Sequence, residues 1–479
     1  MMNMTQDTRT SLQTSPDAKM RSDGKVLLVL GLGETGLSMV RWFAEKGARV
    51  RVADSRENPP GLEDAARIVS LDDIRCGKFE EALLEDVGMI AISPGVPLND
   101  PFVQRAVKSG IEIVGDIEIF ARQLSGSESK ARVIAITGSN GKTTVTSMVE
   151  HLCKAAGKDA IAAGNISPAV LDAVMARKEK QPEVWVLELS SFQLETTESL
   201  KPDAAVVLNI SEDHLDRYDG MEEYAKAKER IYQGCGIQVL NRDDERCMNM
   251  RQDGKHFVTF GLNRPERATD FGIERNDEDI WLTRGSERLI KTSELKVAGL
   301  HNAANAQAAL ALCSSIGLPM PSLLDALKNF KGLAHRVEFV ASMNGVSFYD
   351  DSKGTNVGAT VAALEGLGCK SVLIAGGVGK GQDFSPLKPV AMKHARAVVL
   401  IGQDAPMIEA ALQGSGVELV KARDMRDAVA SAARLAKEND AVLLSPACAS
   451  FDMYRNYAHR AEVYVEEVKR LIEEGAWLH

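Results

Sequence analysis

The residues with the plainest chemistry stand between Thr137 and Thr144, where Gly138 and Gly141 bracket Ser139 and Asn140 and lead into Lys142, Thr143 and Thr144. Glycines at this spacing let the backbone turn its N–H groups toward an anion. A helix starting there adds the positive end of its dipole, and a lysine at its first turn reaches the outer phosphates of a nucleotide. Thr143 is then placed to ligate Mg²⁺. The pattern departs from the full Walker form, because Ile136 stands where a first glycine would; the alternative is a tight strand-to-helix turn with a solvated lysine.

Other groups gather metal and anion chemistry around that loop. Glu188 closes the apolar run Val184 to Leu187, the place where a second strand of a phosphate-loop enzyme carries an acid that holds Mg²⁺ directly or through water. Asp213 and His214 end the next apolar run. From Glu222 to Tyr232 the period is helical, and Tyr224, Lys228, Ile231 and Tyr232 share one face. Lys228 is therefore on the side that should be buried. Either its stem packs while its head stays in water, or burial lowers its pKa and leaves a neutral amine able to react. Asn302 and Asn305, one turn apart at the start of an alanine-rich helix, suit capping or reading the edge of a base. Lys353 and Lys380 both lie in glycine-containing loops after strands, where positive charge faces a ligand crevice.

A second phosphate-type signal lies upstream. Gly31, Gly33 and Gly36 follow the strand Lys25 to Leu30 and open a helix, and Asp54 stands 23 residues after the first glycine. This is the dinucleotide fingerprint in its proper context. It makes an NAD-dependent dehydrogenase a live alternative, although the glycines alone explain only the close approach of a phosphorylated ligand. Ser93-Pro-Gly95 ends another strand at the same carboxyl edge.

These groups need a scaffold that delivers loops at strand ends. Apolar runs alternate with helical periods along the chain, which predicts an α/β protein of three domains: a Rossmann-like N-terminal domain, a central phosphate-loop ATPase-like domain with a parallel sheet, and a C-terminal Rossmann-like doubly wound domain. The boundaries read as a flexible tail over 1–23, then 24–115, 116–332 and 333–479, with the polar stretch Gln123 to Ser129 as a linker before the phosphate-loop strand. At 479 residues, two to three domains are expected, and 44% hydrophobic residues supply their cores. A net charge of −10 and few aromatics disfavour nucleic acid and anionic membranes as partners. Seven scattered cysteines without a Cys-x-x-Cys pair read as reduced thiols, and no apolar run is long enough to span a bilayer, so a cytoplasmic protein is expected.

The combination resembles the Mur ligases, the ATP-dependent amino-acid ligases of peptidoglycan precursor synthesis. The motifs that carry the resemblance are Thr137 to Thr144, Glu188-Leu-Ser-Ser-Phe-Gln193, Asn209-Ile-Ser-Glu-Asp-His-Leu-Asp-Arg217, the Lys228 helix, His301-Asn-Ala-Ala-Asn305 and His335-Arg336. Tyr349 to Asn356 and Leu444 to Asp452 look like the D-glutamate-adding branch. The resemblance implies roles at matching positions. Gly33, Glu34, Thr35, Asp54, Ser55, Arg56 and Gly95 would hold the UDP part of the substrate UDP-N-acetylmuramoyl-L-alanine, and Asn165 its muramoyl-alanine part. Gly138, Ser139, Asn140, Gly141, Lys142, Thr143 and Thr144 would hold the ATP phosphates. Asn302 and Asn305 would address adenine, and Arg336 and Asp351 the rest of the nucleotide. Thr143 and Glu188 would serve a first Mg²⁺, and His214 and Lys228, the lysine as a carbamate, a second. Lys353, Thr355, Lys380, Ser450 and Tyr457 would line the D-glutamate pocket, Tyr457 carrying a hydroxyl where relatives are expected to have phenylalanine. Lys142, His214, Lys228 and Asn165 would form the catalytic set, in a protein expected to be monomeric. The rivals are a folylpolyglutamate-synthase-like ligase, which lacks a nucleotide-sugar domain, the dehydrogenase, and a phosphate-loop switch that only binds.

Overall fold

The computed structural model describes residues 25–126, 130–178, 180–213, 217–276, 279–297 and 299–475; the tail and His214 lie outside the described residues. The chain forms two compact units. One comprises Met1–Ala131, Ala163–Glu183 and Leu189–Lys201, the other Arg132–Ala162, Val184–Glu188 and Pro202–His479.

The first unit is built on strands β1 (Val26–Leu30), β2 (Val50–Asp54), β3 (Ile74–Cys76), β4 (Val87–Ile92) and β5 (Glu112–Val114), ordered β3-β2-β1-β4-β5 with every pairing parallel. β1 is buried along its whole length, which is why it reads as an unbroken apolar run and not as an alternation. The helix Glu34–Glu45 returns the chain to β2 and buries Met39, Val40, Trp42 and Phe43.

Two helices from far downstream complete this unit. On Val170–Arg177, Asp172 accepts from Arg41 Nη1 at 2.9 Å and donates its amide to Ser38 Oγ at 3.0 Å. On Ser191–Glu195, Gln193 donates Nε2 to both oxygens of the buried Asp116, at 3.0 and 3.3 Å. Glu118 takes the amides of Glu198 and Ser199, both at 2.8 Å, and the Ser199 hydroxyl at 2.6 Å. Burial would raise Glu118, but the bonds from Ser199, Glu198 and Arg122 outweigh it and hold its carboxyl below the ordinary value. Asp116 has fewer such donors, and burial pushes it up to about 6.

The second unit holds three sheets. β6 (Arg132–Thr137), β7 (Ala160–Gly164), β8 (Val184–Glu188), β9 (Ala204–Val207), β10 (Ile237–Asn241) and β11 (His256–Phe260) are ordered β11-β10-β9-β6-β8-β7. β6 pairs in parallel with β8 and β9, so the phosphate loop leaves the middle of the sheet with Glu188 at the end of β8 on one side and the end of β9 on the other. β12 (Phe271–Asn276), β13 (Asp279–Arg284) and β14 (Glu287–Lys291) form an antiparallel sheet whose Phe271, Ile273, Leu282 and Ile290 join the same core as the helix Leu300–Ser315. β15 (Glu338–Met343), β16 (Val346–Asp350), β17 (Ser371–Gly376), β18 (Ala395–Ile401), β19 (Glu418–Lys421) and β20 (Ala441–Leu444) are ordered β15-β16-β20-β17-β18-β19.

Two features differ from the expectation. The last sheet is not wholly parallel: β15 pairs antiparallel to β16 through the two-residue turn Asn344-Gly345, with φ of 50° and 77°. Positive φ at both positions is the turn whose twist suits a hairpin, and Asn-Gly is its strongest sequence signal. The expected linker is partly helical, because Asp116–Ser125 runs through Gln123 to Ser125; residues 127–129 lie outside the described residues. No described helix is long and apolar enough to cross a membrane.

Candidate active site

In the second unit β6 ends at Thr137, and the helix Lys142–Ala155 begins after Gly138, at φ 150°, and Gly141, at φ 84°. A Cβ on Gly141 would lie 2.8 Å from Asn305 Oδ1, and one on Gly138 would lie 2.9 Å from Leu208 Cβ, so neither position has room for a side chain. The loop is braced by the segment after β9. Ser139 N donates to Asn209 O at 2.9 Å, and Asn140 N to Asn209 Oδ1 at 2.8 Å. Ser139 Oγ accepts from Ser211 N at 2.9 Å and shares a 3.2 Å hydrogen bond with the Tyr224 hydroxyl. Two loop amides expected to face an anion are thus spent on Asn209. The donors left for phosphate are those of the first helical turn from Lys142, which have no partner within the helix.

Lys142 curls over this loop, donating Nζ to Gly138 O at 2.7 Å and to Ser139 O at 3.0 Å. Burial lowers its pKa, while Glu188 and Asp213 act the other way. Lys228 is 1% exposed: its amine is inside, not in water. Nζ lies 3.4 Å from Thr137 Oγ1 and 4.6 Å from the centre of the Tyr224 ring. Burial, reinforced by the charge of Lys142, holds its pKa well below that of an ordinary lysine, against the pull of Asp213, Cys247 and Glu188. The donor set fits a divalent cation bound beside phosphate: the Thr143 hydroxyl at the helix start and the buried Glu188 at the end of the adjacent strand are oxygen ligands of the kind Mg²⁺ takes.

A cavity of about 170 Å³ opens beside the loop, lined by Asn140, Gly141 and Thr144 on one side and by Asn302, Asn305, Arg336, Asp351 and Lys353 on the other. Asn302 and Asn305 do not cap their helix. Its N-cap is Gly299, no side chain caps it, and Asn305 Nδ2 donates to Asn302 Oδ1 at 3.2 Å. Arg336 Nη2 donates to Thr143 Oγ1 at 2.8 Å, and its pKa is pulled down by burial. Burial pushes Asp351 up to about 7, although it accepts from Ser445 Oγ at 2.6 Å and lies near Arg336. His301 lines the same cavity and burial pushes its imidazole down to about 4.

The remaining expected residues of this unit lie on neighbouring loops and at the start of the helix Tyr457–Glu473. Lys353 Nζ stands 3.8 Å from the centre of the Tyr457 ring, and Thr355 N donates to Lys353 O at 2.9 Å. Ser450 is buried, on a loop that bridges back to the β17 loop through Val378 and Ala449. Lys380 is exposed, at φ 53°, beyond that bridge.

The first unit has a cavity of its own, about 450 Å³, whose lining includes all eight residues expected to meet the UDP-linked substrate: Gly33, Glu34, Thr35, Asp54, Ser55, Arg56, Gly95 and Asn165. Asp54 joins its own loop to the glycine loop, accepting from Leu32 N at 2.6 Å and from Arg56 Nη2 at 2.7 Å. Burial would raise it, but the Arg56 side chain and the Leu32 and Arg56 amides hold it below the usual carboxylate value. The fingerprint glycines separate into two kinds. A Cβ on Gly36 would meet Gly31 O at 1.7 Å, and one on Gly31 would meet Ser93 Cβ at 2.8 Å, whereas one on Gly33 or Gly95 would meet nothing within 4 Å. Packing accounts for the first two, so the fingerprint does not by itself call for a nicotinamide cofactor. Gln193, which the motif placed beside Glu188, also lines this cavity, and Asn209, Tyr224, Asp116 and Glu118 brace the two sites without having been singled out for that.

Comparison with known proteins matches this arrangement along the chain. The MurD-like N-terminal domain of the Mur ligases matches residues 25–115, the Mur ligase middle domain residues 136–313, and the Mur ligase glutamate ligase domain residues 335–448. A UDP-N-acetylmuramoylalanine--D-glutamate ligase of Nitrosomonas europaea is 54% identical over 462 residues, 95% of this chain and 98% of its own length. One of Methylobacillus flagellatus is 55% identical over 447 residues, 93% and 97% of the two chains. Among solved structures, the UDP-N-acetylmuramate-alanine ligase MurC of Thermotoga maritima superposes with a TM-score of 0.57 at 22% identity, over 93% of this chain and 99% of its own. A pseudomurein peptide ligase type C of Methanothermus fervidus gives 0.57 at 19%, over 94% and 100%; these two share the fold. With three domain matches in order and majority identity over nearly the whole length, the chain belongs to the Mur ligase family.

Proposed function

We infer that this chain is an ATP-dependent ligase that joins D-glutamate to UDP-N-acetylmuramoyl-L-alanine, releasing ADP and phosphate, in the cytoplasmic assembly of peptidoglycan precursors. The observation that carries the reading is that one cavity is lined both by Gly141 of the phosphate loop and by Lys353 of the loop assigned to the amino acid, in a chain 54% identical to a D-glutamate ligase. An acyl phosphate made at that loop would be attacked where it forms.

A carboxylate is a poor electrophile. Transfer of the ATP γ-phosphoryl group to the alanyl carboxylate creates a good leaving group, and the neutral amine of D-glutamate then adds to the acyl carbon. The tetrahedral intermediate expels phosphate and leaves the amide. In the first step two anions must meet; Lys142 and the first-turn amides of its helix supply fixed positive potential there, and Arg336 adds a third positive group beside Thr143. Thr143 and Glu188 would hold one Mg²⁺, and His214 and Lys228 a second, where the metal would supply charge neutralisation between the phosphates and the carboxylate. Lys228 belongs to that site as a carbamate: its neutral amine forms an N–C bond to CO₂ and releases one proton, giving a carboxylate ligand. Asn165 with the N-terminal cavity holds the UDP-linked substrate. Asn302, Asn305 and Asp351 hold the nucleoside, and Lys353, Thr355, Lys380, Ser450 and Tyr457 hold D-glutamate. The division at 24–115, 116–332 and 333–479, and a monomeric state, are parts of the same proposal.

The test is phosphate release with ATP and Mg²⁺, with each of the other two substrates omitted in turn. Release is expected only with both; release with either one absent would overturn the ligase reading.

A further inference from the structure

Arg460, on the helix Tyr457–Glu473, is 1% exposed. It donates from Nε to Ser352 Oγ at 2.9 Å, from Nη2 to Ser352 O at 2.8 Å and from Nη1 to Cys448 O at 3.1 Å. Among the described residues no carboxylate accepts from it. A guanidinium taken out of water is ordinarily set against an acid. Here the donors are spent on two loops that carry the amino-acid end of the site, and Ser352 passes the link on to the start of the helix. Ser352 precedes Lys353, Cys448 is two residues before Ser450, and Tyr457 lies one turn ahead of Arg460. The Ser352 hydroxyl, receiving from Arg460, donates onward to Tyr457 O at 2.8 Å, and Lys353 Nζ stands over the Tyr457 ring. The same two loops meet again where Ala447 N donates to Gly354 O at 3.0 Å. Ala447 is at φ 57°, a left-handed conformation unfavourable for a non-glycine residue, which the surrounding bonds must impose. Burial pulls Arg460 down to about 10, so it stays charged at neutral pH.

We propose that Arg460 is a positioning residue of the amino-acid pocket: its planar fork fixes Lys353, Ser450 and Tyr457 relative to one another, and with them the recognition of a dicarboxylic amino acid. The assignment rests on the ligase reading above. A lysine keeps the charge but lacks the fork that reaches both loops at once.

Full-length Arg460→Lys and Ser352→Ala are measured in steady state, varying each of the three substrates, alongside thermal melting. For Arg460→Lys the KM for D-glutamate is expected to rise about tenfold or more, equivalent to about 1.4 kcal/mol. The KM values for ATP and the UDP-linked substrate should stay within about twofold, since a loss of general stability would not select one substrate. Ser352→Ala, which removes one acceptor and the link to Tyr457 O, should move the same KM in the same direction by less. An unchanged KM for D-glutamate in both variants, or all three KM values rising together, overturns the assignment. If Arg460→Lys does not fold, Ser352→Ala decides by the same criteria. Wild-type protein that releases no phosphate with D-glutamate overturns the ligase reading and this assignment together, whereas normal wild-type turnover with either adverse pattern retires Arg460 alone.

Discussion

Gly36 and Gly33 are three residues apart and do opposite work. With 1.7 Å between a Cβ on Gly36 and Gly31 O, Gly36→Ala should lower stability by about 3 kcal/mol, read as a fall in the melting temperature. Gly33 is at φ −83° with open space beside it, so Gly33→Ala should melt like the wild type. Its methyl group enters the cavity assigned to the UDP-linked substrate, and KM for that substrate should rise about tenfold while the other two KM values hold. Equal loss of stability in both variants would contradict the distinction. At Lys228 the test is chemical: Lys228→Ala should be nearly inactive yet folded, and partly restored by short carboxylic acids that replace the missing carboxylate. Full activity in that variant would remove the carbamate. Lys228 also shows what a single helix face reveals. Its period with Tyr224 and Tyr232 announced burial, but whether the head stayed wet depended on Tyr224, Thr137 and the neighbouring strand end closing around it.

Among the elements, the helix Asp116–Ser125 is the one whose role the residue pattern did not disclose. Its Glu118 receives three donors from the segment after the helix Ser191–Glu195, and no local spacing reports a contact spanning some eighty residues. Glu118→Gln should cost about 2 kcal/mol at neutral pH, since charge-assisted bonds are the stronger kind. Because the folded-state pKa lies below the unfolded value near 4.5, the carboxylate's contribution is present above that value and fades as pH falls through the lower folded one. The melting-temperature gap between variant and wild type should therefore narrow in acid; a gap that widened would reverse the sign of the shift. Most strands of the parallel sheets were legible because burial on both faces writes them as apolar runs with polar loops after them; β3, β5, β7 and β10 did not stand out. β15, β12 and β14 were not legible, because half-exposed antiparallel strands alternate weakly; of β13 only the apolar Ile280 to Leu282 reads as strand, and the Asn344-Gly345 turn was the available signal for β15. The residues that touch cavities were largely visible as loop residues at strand ends. Asn209 and Gln193, which also line the cavities, and Arg460 act through partners brought together only by folding.

At the scale of the whole molecule, the first unit is assembled from three separate stretches, with Val170–Arg177 and Ser191–Glu195 arriving after the chain has already begun the second unit. A fragment of residues 25–131 keeps the five-stranded sheet but loses Asp172, Gln193 and Ser199 as partners of Arg41, Asp116 and Glu118, and Asn165 from its cavity. It should melt at a lower temperature than the same sheet in the full chain, by hydrogen-exchange protection of β1 and β4, and should not bind the UDP-linked substrate in calorimetry. Native-like protection with full binding would mean that the later stretches are dispensable. The threading also has a consequence during synthesis. At about 5 to 20 residues per second, the ribosome spends several seconds making the stretch from 131 to 201. Throughout that interval the nascent sheet waits with the faces meant for those helices uncovered, so a chaperone that shields it for those seconds has more to protect here than in a protein whose first domain is finished before the next begins.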